Sequence, residues 1–160
     1  MSDKAESLHF SIVIPVYNEA ENIEPMVREI QAAFAGRPET YEVIFVDDAS
    51  TDDSPAVLQR LTLETAGVVR SLRHHRNFGQ SAAVGSGFRA ARGEWIGTLD
   101  GDGQNDPADL PHMLDEARRL HARAAGLQRP APLHADAAAQ QGLCRCRASR
   151  QPPPAPARRV

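Results

Sequence analysis

An α/β fold on a mainly parallel sheet follows from three features of the 160-residue sequence. Dense apolar runs at residues 9–16, 41–46 and 95–99 alternate with segments whose apolar residues recur at helical intervals. Each of these runs leads directly into a polar or acidic cluster. The spacing also predicts right-handed βαβ crossovers, in a sheet whose ligands bind outside the carboxyl ends of its strands. No apolar run approaches the roughly 20 residues that span a bilayer.

Residues 9–16 read as a strand covered on both faces. Pro15 has no N–H for a ladder, which predicts that pairing stops there and that Tyr17-Asn18-Glu19 forms a loop. Asn18 and Glu21 have capping-box spacing, and Ile23, Met26, Val27, Ile30 and Phe34 continue a helix. A second strand, 41–46, runs into Asp47-Asp48-Ala49-Ser50-Thr51-Asp52-Asp53, after which Ser54-Pro55 opens a helix through Leu58 and Leu61. Residues 68–72 read as a third strand, 73–80 as a polar loop, and the Ala- and Gly-rich 81–92 as a helix. Gly79, Gly85 and Gly87 lack dinucleotide-fingerprint spacing and are read as close helix-to-sheet packing. The strand from Trp95 ends at Asp100, and Asp106-Pro107-Ala108-Asp109 caps a last helix carrying Leu110, Met113, Leu114, Ala117 and Leu120.

These elements fill a domain at residues 8–122, followed by a tail at 123–160. Between Gly97 and Arg159 there is no Ile, Val, Phe, Tyr or Trp, and six of the 12 prolines follow residue 129. Such a tail cannot bury enough surface to offset its ordering entropy, so residues 127–160 are expected to be disordered. The net charge of -3 divides into +6 for residues 121–160 and -9 for the rest. An acidic body excludes nucleic acid as the main partner. Cys144 and Cys146 form neither a disulfide framework nor a zinc signature, and the polar start is unlike a secretory signal, so the expected location is cytoplasmic.

Asp100 and Asp102, two apart on an extended backbone, project the same way and can converge on one cation. Oxygen donors of this kind suit Mg²⁺ or Mn²⁺, which bridges to nucleotide phosphates, and Gln104 adds a neutral oxygen. On these residues alone, a solvated turn after a buried strand is an equal alternative. Gly101 and Gly103 are read as room for a ligand to approach the backbone. An EF-hand is excluded, because with Asp100 at position 1 Asn105 stands where Gly belongs and Pro111 where the bidentate Glu belongs. Asp48 is read as a ligand contact, Asp52 and Asp53 as turn and cap, and Glu19 as facing the crevice. His74 and His75 are read as exposed loop residues.

Three segments, Ile12-Val-Ile-Pro-Val-Tyr-Asn-Glu-Ala-Glu-Asn-Ile23, Val46-Asp-Asp-Ala-Ser-Thr-Asp52 and Leu99-Asp-Gly-Asp-Gly-Gln-Asn-Asp-Pro107, together resemble the family 2 glycosyltransferases of glycosyltransferase-A fold. Arg76-Asn-Phe-Gly-Gln-Ser-Ala-Ala83 resembles the polyprenyl-phosphate branch, which includes dolichol-phosphate mannose synthase and bacterial undecaprenyl-phosphate relatives. The resemblance covers about residues 8–120 and implies a Rossmann-like nucleotide-binding half. It assigns Pro15, Tyr17 and Glu19 to the base and ribose pocket, Asp48 to a hydrogen bond with the base, and Arg76 to the donor phosphates. Asp100 and Asp102 correspond to the metal motif, with Asp100 also beside the nucleotide, and Gln104 to its accompanying glutamine. Many relatives carry Leu where Gly103 stands, a change expected to alter loop packing more than ligation.

The implied activity is transfer of a sugar from a UDP- or GDP-sugar to a polyprenyl phosphate, with Mg²⁺ or Mn²⁺, by a cytoplasmic protein peripheral at the inner membrane. In the family the chain continues into an acceptor side with a general-base acid and a later Arg-Trp motif. Here no Trp follows Trp95 and 17 Arg stand against one Lys, which leads to the expectation of a frameshift near residue 120 and of no catalytic base in this chain. The alternative is a catalytically inactive nucleotide-binding fragment. A phosphoesterase is disfavoured, since no nucleophile is seen beside a base.

Overall fold

Phe10–Val16 (β1) is buried along its whole length because it lies at the centre of the sheet, covered by helices on both faces. Parallel to it run β2 (Tyr41–Asp47), β3 (Val69–Arg73) and β4 (Trp95–Thr98) in the order β3-β2-β1-β4, and β5 (Cys144–Arg145) pairs antiparallel with β4. The helices are α1 (Ala20–Ala33), α2 (Ser54–Glu64), α3 (Gln80–Ala90) and α4 (Leu110–Gly126), the last entered through a 3₁₀ turn at Pro107–Asp109. This computed structural model describes residues 8–126 and 144–145. The two residues of β5 fall within the tail expected to be disordered; the remainder of 127–160 lies outside the described residues.

Strand alternation sorts the core into two layers. Phe10, Ile12, Ile14, Val43, Phe45 and Trp95 pack with Ile23, Ile30, Leu58 and Leu114 on the face of α1, α2 and α4. Val13, Ile44, Val46 and Ile96 face the other way, onto Ala83 of α3. The chain lays down β1, β2 and β3 in one direction and then returns past β1 to β4. With right-handed crossovers, that reversal places α3 on the opposite face and opens a crevice between the carboxyl ends of β1 and β4. Gly87 is what lets α3 approach so closely, since a Cβ there would lie 2.2 Å from Val13 Cγ1. Packing does not explain Gly79 or Gly85: the first is open to solvent at φ +89°, and the second meets only Arg89 Nη1 at 3.5 Å.

Pairing does not stop at Pro15. The register with β2 continues through Val16↔Asp47, and the Asp48 N–H donates to the Val16 carbonyl at 3.0 Å. Alternate residues of a parallel strand bond to opposite neighbours. Phe10 and Val16 bond on the β2 side, whereas the Val13 carbonyl accepts from Leu99 on the β4 side. Pro15 shares the parity of Val13, so its missing N–H falls beyond Val13↔Thr98, where β4 has already ended.

The amino ends of the strands are closed by ion pairs. Glu42, 1% exposed, accepts hydrogen bonds from Ser11 Oγ (2.7 Å), Arg70 Nη1 (2.7 Å), Arg92 Nη2 (2.8 Å) and the Arg92 N–H (2.8 Å). Burial pushes its carboxyl upward, but these donors more than offset that and hold it below the usual carboxylate range. Nearby, Arg37 joins Glu39 (3.0 Å) to Asp115 of α4 (2.8 Å), and Arg118 also reaches Glu39. Hydrogen bonding from Arg37, reinforced by Arg118, holds the Glu39 carboxyl down to about 2.

Candidate functional site

At the carboxyl ends of β1, β2 and β4 lies an open cleft of about 380 Å³, whose lining includes Pro15, Tyr17, Glu19, Asp48, Asp100 and Asp102. Six of the eight residues singled out from the sequence therefore meet there. Arg76 and Gln104 do not line it: the Arg76 guanidinium stacks 4.7 Å above the Phe78 ring, and Gln104 is exposed, its backbone N–H donating to Asp102 Oδ1 at 3.0 Å.

The loops after β1 and β2 are held to each other by side-chain hydrogen bonds. Asn18 adopts φ +57°, a conformation asparagine tolerates better than most residues. Its Oδ1 accepts from the Thr51 N–H at 2.8 Å and its own N–H donates to Ser50 Oγ at 3.0 Å. The expected capping box is therefore absent. Asn18 instead pins the neighbouring loop, Glu19 gives α1 no cap from its own side chain, and Glu19 Oε2 accepts from Asn22 Nδ2 at 2.7 Å. Asp52 caps two helices at once, accepting from Ser54 N–H (3.0 Å) and Ala20 N–H (3.2 Å). Asp53, read as part of the same cap, gives α2 no side-chain hydrogen bond. Tyr17 is left 46% exposed at the cleft wall.

Asp48 is 3% exposed, and its carboxylate is taken up by the β3–α3 loop. Oδ1 accepts from the Phe78 N–H at 2.9 Å, Oδ2 from the Gly79 N–H at 2.7 Å, and His74 Nδ1 lies 2.6 Å from Oδ1. Burial pushes the Asp48 carboxyl upward, but the Phe78, His74 and Gly79 donors bring it below its ordinary value.

His74 is not an exposed loop residue: its side chain is 14% accessible, and Nε2 lies 2.9 Å from Ser86 Oγ. A hydroxyl thus does stand beside an imidazole, contrary to the sequence reading. Ser86 Oγ also accepts from Arg89 Nη2 at 3.0 Å and lies outside the cleft lining, so it serves as an anchor and not as a nucleophile. The signal that could have found His74 is positional. The rule that placed the loops after strands one, two and four at the ligand edge applies equally to the loop after strand three.

β4 ends at Thr98, so Asp100 and Asp102 lie past the strand, Asp100 just before the turn and Asp102 within it. Both still line the cleft. Asp100 Oδ1 accepts from Gln80 Nε2 at 2.6 Å, and neither aspartate has an ion-pair partner among the described residues. Gly101 itself lines the cleft, and a Cβ there would lie 2.6 Å from the Pro15 carbonyl oxygen, so the acidic turn packs directly on β1. Gly103 has φ +73°, a conformation in which leucine would be strained. Among the described residues no cluster of three or more His, Cys, Asp or Glu could enclose a metal. Two hard carboxylates on one open cleft do fit Mg²⁺ or Mn²⁺, cations that take their other ligands from substrate phosphates and water.

The family described as Glycosyl transferase family 2 matches residues 11–151. Dodecaprenyl-phosphate galacturonate synthase of Rhizobium johnstonii is 40% identical over 118 residues, 74% of this chain and 35% of that protein. Undecaprenyl-phosphate 4-deoxy-4-formamido-L-arabinose transferase of Pseudomonas fluorescens is 41% identical over 107 residues, 67% of this chain and 31% of that one. Among solved structures, the mannosyltransferase PcManGT from Pyrobaculum calidifontis, in complex with GDP-Man and Mn²⁺, superposes with a TM-score of 0.55 at 26% identity, over 63% of this chain and 29% of that chain. The chain spans about a third of the length of these relatives.

Proposed function

Because this chain belongs to glycosyl transferase family 2, we propose that its cleft is the donor side of a transferase moving a sugar from a UDP- or GDP-sugar to a polyprenyl phosphate. The observation that carries this reading is the convergence of the strand-end residues Pro15, Tyr17, Glu19, Asp48, Asp100 and Asp102 on one cleft. The relatives named for dodecaprenyl and undecaprenyl phosphate support the acceptor class, and the PcManGT complex supports the donor class and a divalent cation. The acceptor lipid would bring the protein to a membrane surface; no helix among the described residues is long and apolar enough to cross one.

In this reading the exposed Tyr17 ring and Pro15 form the wall against the base, and Glu19 offers an acceptor to ribose hydroxyls. Asp48 holds the far wall in place. Asp100 and Asp102 would hold Mg²⁺ or Mn²⁺, and the cation, when bound, neutralises charge on the leaving diphosphate. Gln80 keeps Asp100 turned toward the cleft. Arg76 and Gln104, on the flanks, are the remaining candidates for phosphate and cation contact. An acceptor that is already an anionic phosphate needs little help from a general base.

A second reading, a nucleotide-binding piece without transfer, is favoured by one observation: the cleft residues named here are all accounted for by donor and cation. Isothermal titration of the full chain with UDP and GDP, each with and without Mn²⁺, tests the shared premise. Metal-dependent binding of one nucleotide supports the donor site, and a folded chain that binds neither refutes it. Release of nucleotide from a nucleotide sugar on addition of polyprenyl phosphate then separates transfer from binding alone.

A further inference from the structure

The β3–α3 loop carries a continuous series of hydrogen bonds that ends on a proposed cation ligand. His74 is bonded through both ring nitrogens, Nδ1 to Asp48 Oδ1 at 2.6 Å and Nε2 to Ser86 Oγ at 2.9 Å. Asp48 grips the Phe78 and Gly79 N–H groups at the start of α3, where a carboxylate also meets the positive end of the helix dipole. The next residue, Gln80, opens α3 and donates to Asp100 Oδ1 at 2.6 Å.

Gly79, at φ +89° with open space around it, does not by itself favour one course for the chain. Its course is set by the Asp48 carboxylate, and the rotation of that carboxylate by His74. Ser86, one and a half turns into α3, closes the circuit back onto the same histidine. The loop, the start of the helix and the acidic turn are thereby one hydrogen-bonded unit.

We propose that His74 is a positioning residue for the cation end of the cleft: by orienting Asp48 and the start of α3, it presents Gln80 to Asp100 in one orientation. The proposal rests on the donor-site reading above. It makes Gln80 the outer-shell partner of a metal ligand, a class of contact whose loss costs about 10–100-fold in metal affinity, and His74 the residue that acts through it.

The test measures UDP and GDP binding by the full chain, with and without Mn²⁺, in the unaltered protein and in His74→Ala, His74→Asn and Gln80→Ala. Asparagine Nδ2 occupies the place of histidine Nδ1, so His74→Asn keeps the Asp48 bond and gives up the Ser86 bond. Expected is a loss of at least about tenfold in Mn²⁺-dependent affinity for His74→Ala, recovery to within about threefold for His74→Asn, and metal-free affinity changed by less than about threefold in both. Amide exchange at Phe78 and Gly79 should rise in His74→Ala and return in His74→Asn. Equal losses with and without Mn²⁺, or a folded His74→Asn protein that recovers nothing, would overturn the proposal. Should His74→Ala fail to fold, Gln80→Ala cuts the last bond of the series, and unchanged Mn²⁺-dependent affinity there would equally overturn it. An unaltered protein that binds neither nucleotide with Mn²⁺ refutes the donor-site reading itself, and is recognised before any variant is compared.

Discussion

At the amino ends of the strands, Glu42 is surrounded by Arg70, Arg92 and Ser11, while at the carboxyl ends Asp100 and Asp102 face an open cleft with no cationic partner among the described residues. Both groups are acidic and both sit at the margin of the same four parallel strands. The difference is in what neutralises them. The amino-end edge supplies its own guanidinium groups and so contributes to stability, whereas the carboxyl-end edge, although Arg73 there pairs with Asp47 at 3.2 Å, leaves Asp100 and Asp102 for something that binds. A sheet edge of the first kind holds the fold together, and one of the second kind is free to do chemistry.

That contrast breaks most visibly at Glu42. Replacing it by alanine strands Arg70 and Arg92 and leaves Ser11 Oγ without its acceptor, and should cost about 3 kcal/mol in denaturant unfolding. The matching change at the other edge, Asp102→Asn, should leave unfolding within about 0.5 kcal/mol while abolishing Mn²⁺-dependent nucleotide binding in titration calorimetry. If Asp102→Asn destabilised the fold as much as Glu42→Ala, the two edges would not differ in kind.

Acid sharpens the comparison further. Glu39 and Glu42 are both held below their ordinary values in the folded chain, Glu39 down to about 2. Their stabilisation is complete above the unfolded value near 4.5 and is lost as pH falls from there toward 2. Unfolding followed at pH 6, 4 and 3 should show stability declining below pH 4.5, and Glu39→Gln should remove part of this decline and leave the part due to Glu42 and Asp48. The smallest effect is expected at Arg76, stacked on Phe78 outside the cleft: Arg76→Ala should change unfolding by less than about 0.5 kcal/mol. A loss of nucleotide affinity in the same variant would bring Arg76 into the donor site.

The strands and helices were legible because the periods of apolar residues in β1, β2 and α1 are strong and their interruptions fall where loops are needed. The same cannot be said of Glu42, which stands in an apolar run with partners 28 and 50 residues away that only the sheet order brings near. Asp100 and Asp102 are legible from their pairing in sequence, but strand alternation is not what brings them together, since the strand ends at Thr98 and the turn packs through Gly101 against Pro15. His74 was passed over because a histidine among arginines looks solvated until the buried carboxylate it meets is known. Asn18 was misread for a related reason: its side chain satisfies the next loop, and no local pattern distinguishes that from a cap.

The order in which the strands assemble has a consequence for how this protein comes into being on the ribosome. Phe10 pairs with Tyr41, 31 residues on, but also with Trp95, 85 residues on. The first pairing forms while the chain is still short, whereas the second requires a long loop to close. Until β4 has left the exit tunnel and settled beside β1, one edge of the central strand keeps its backbone N–H and C=O groups unpaired. The cleft, which needs Asp100 opposite Pro15, is completed by that same docking step.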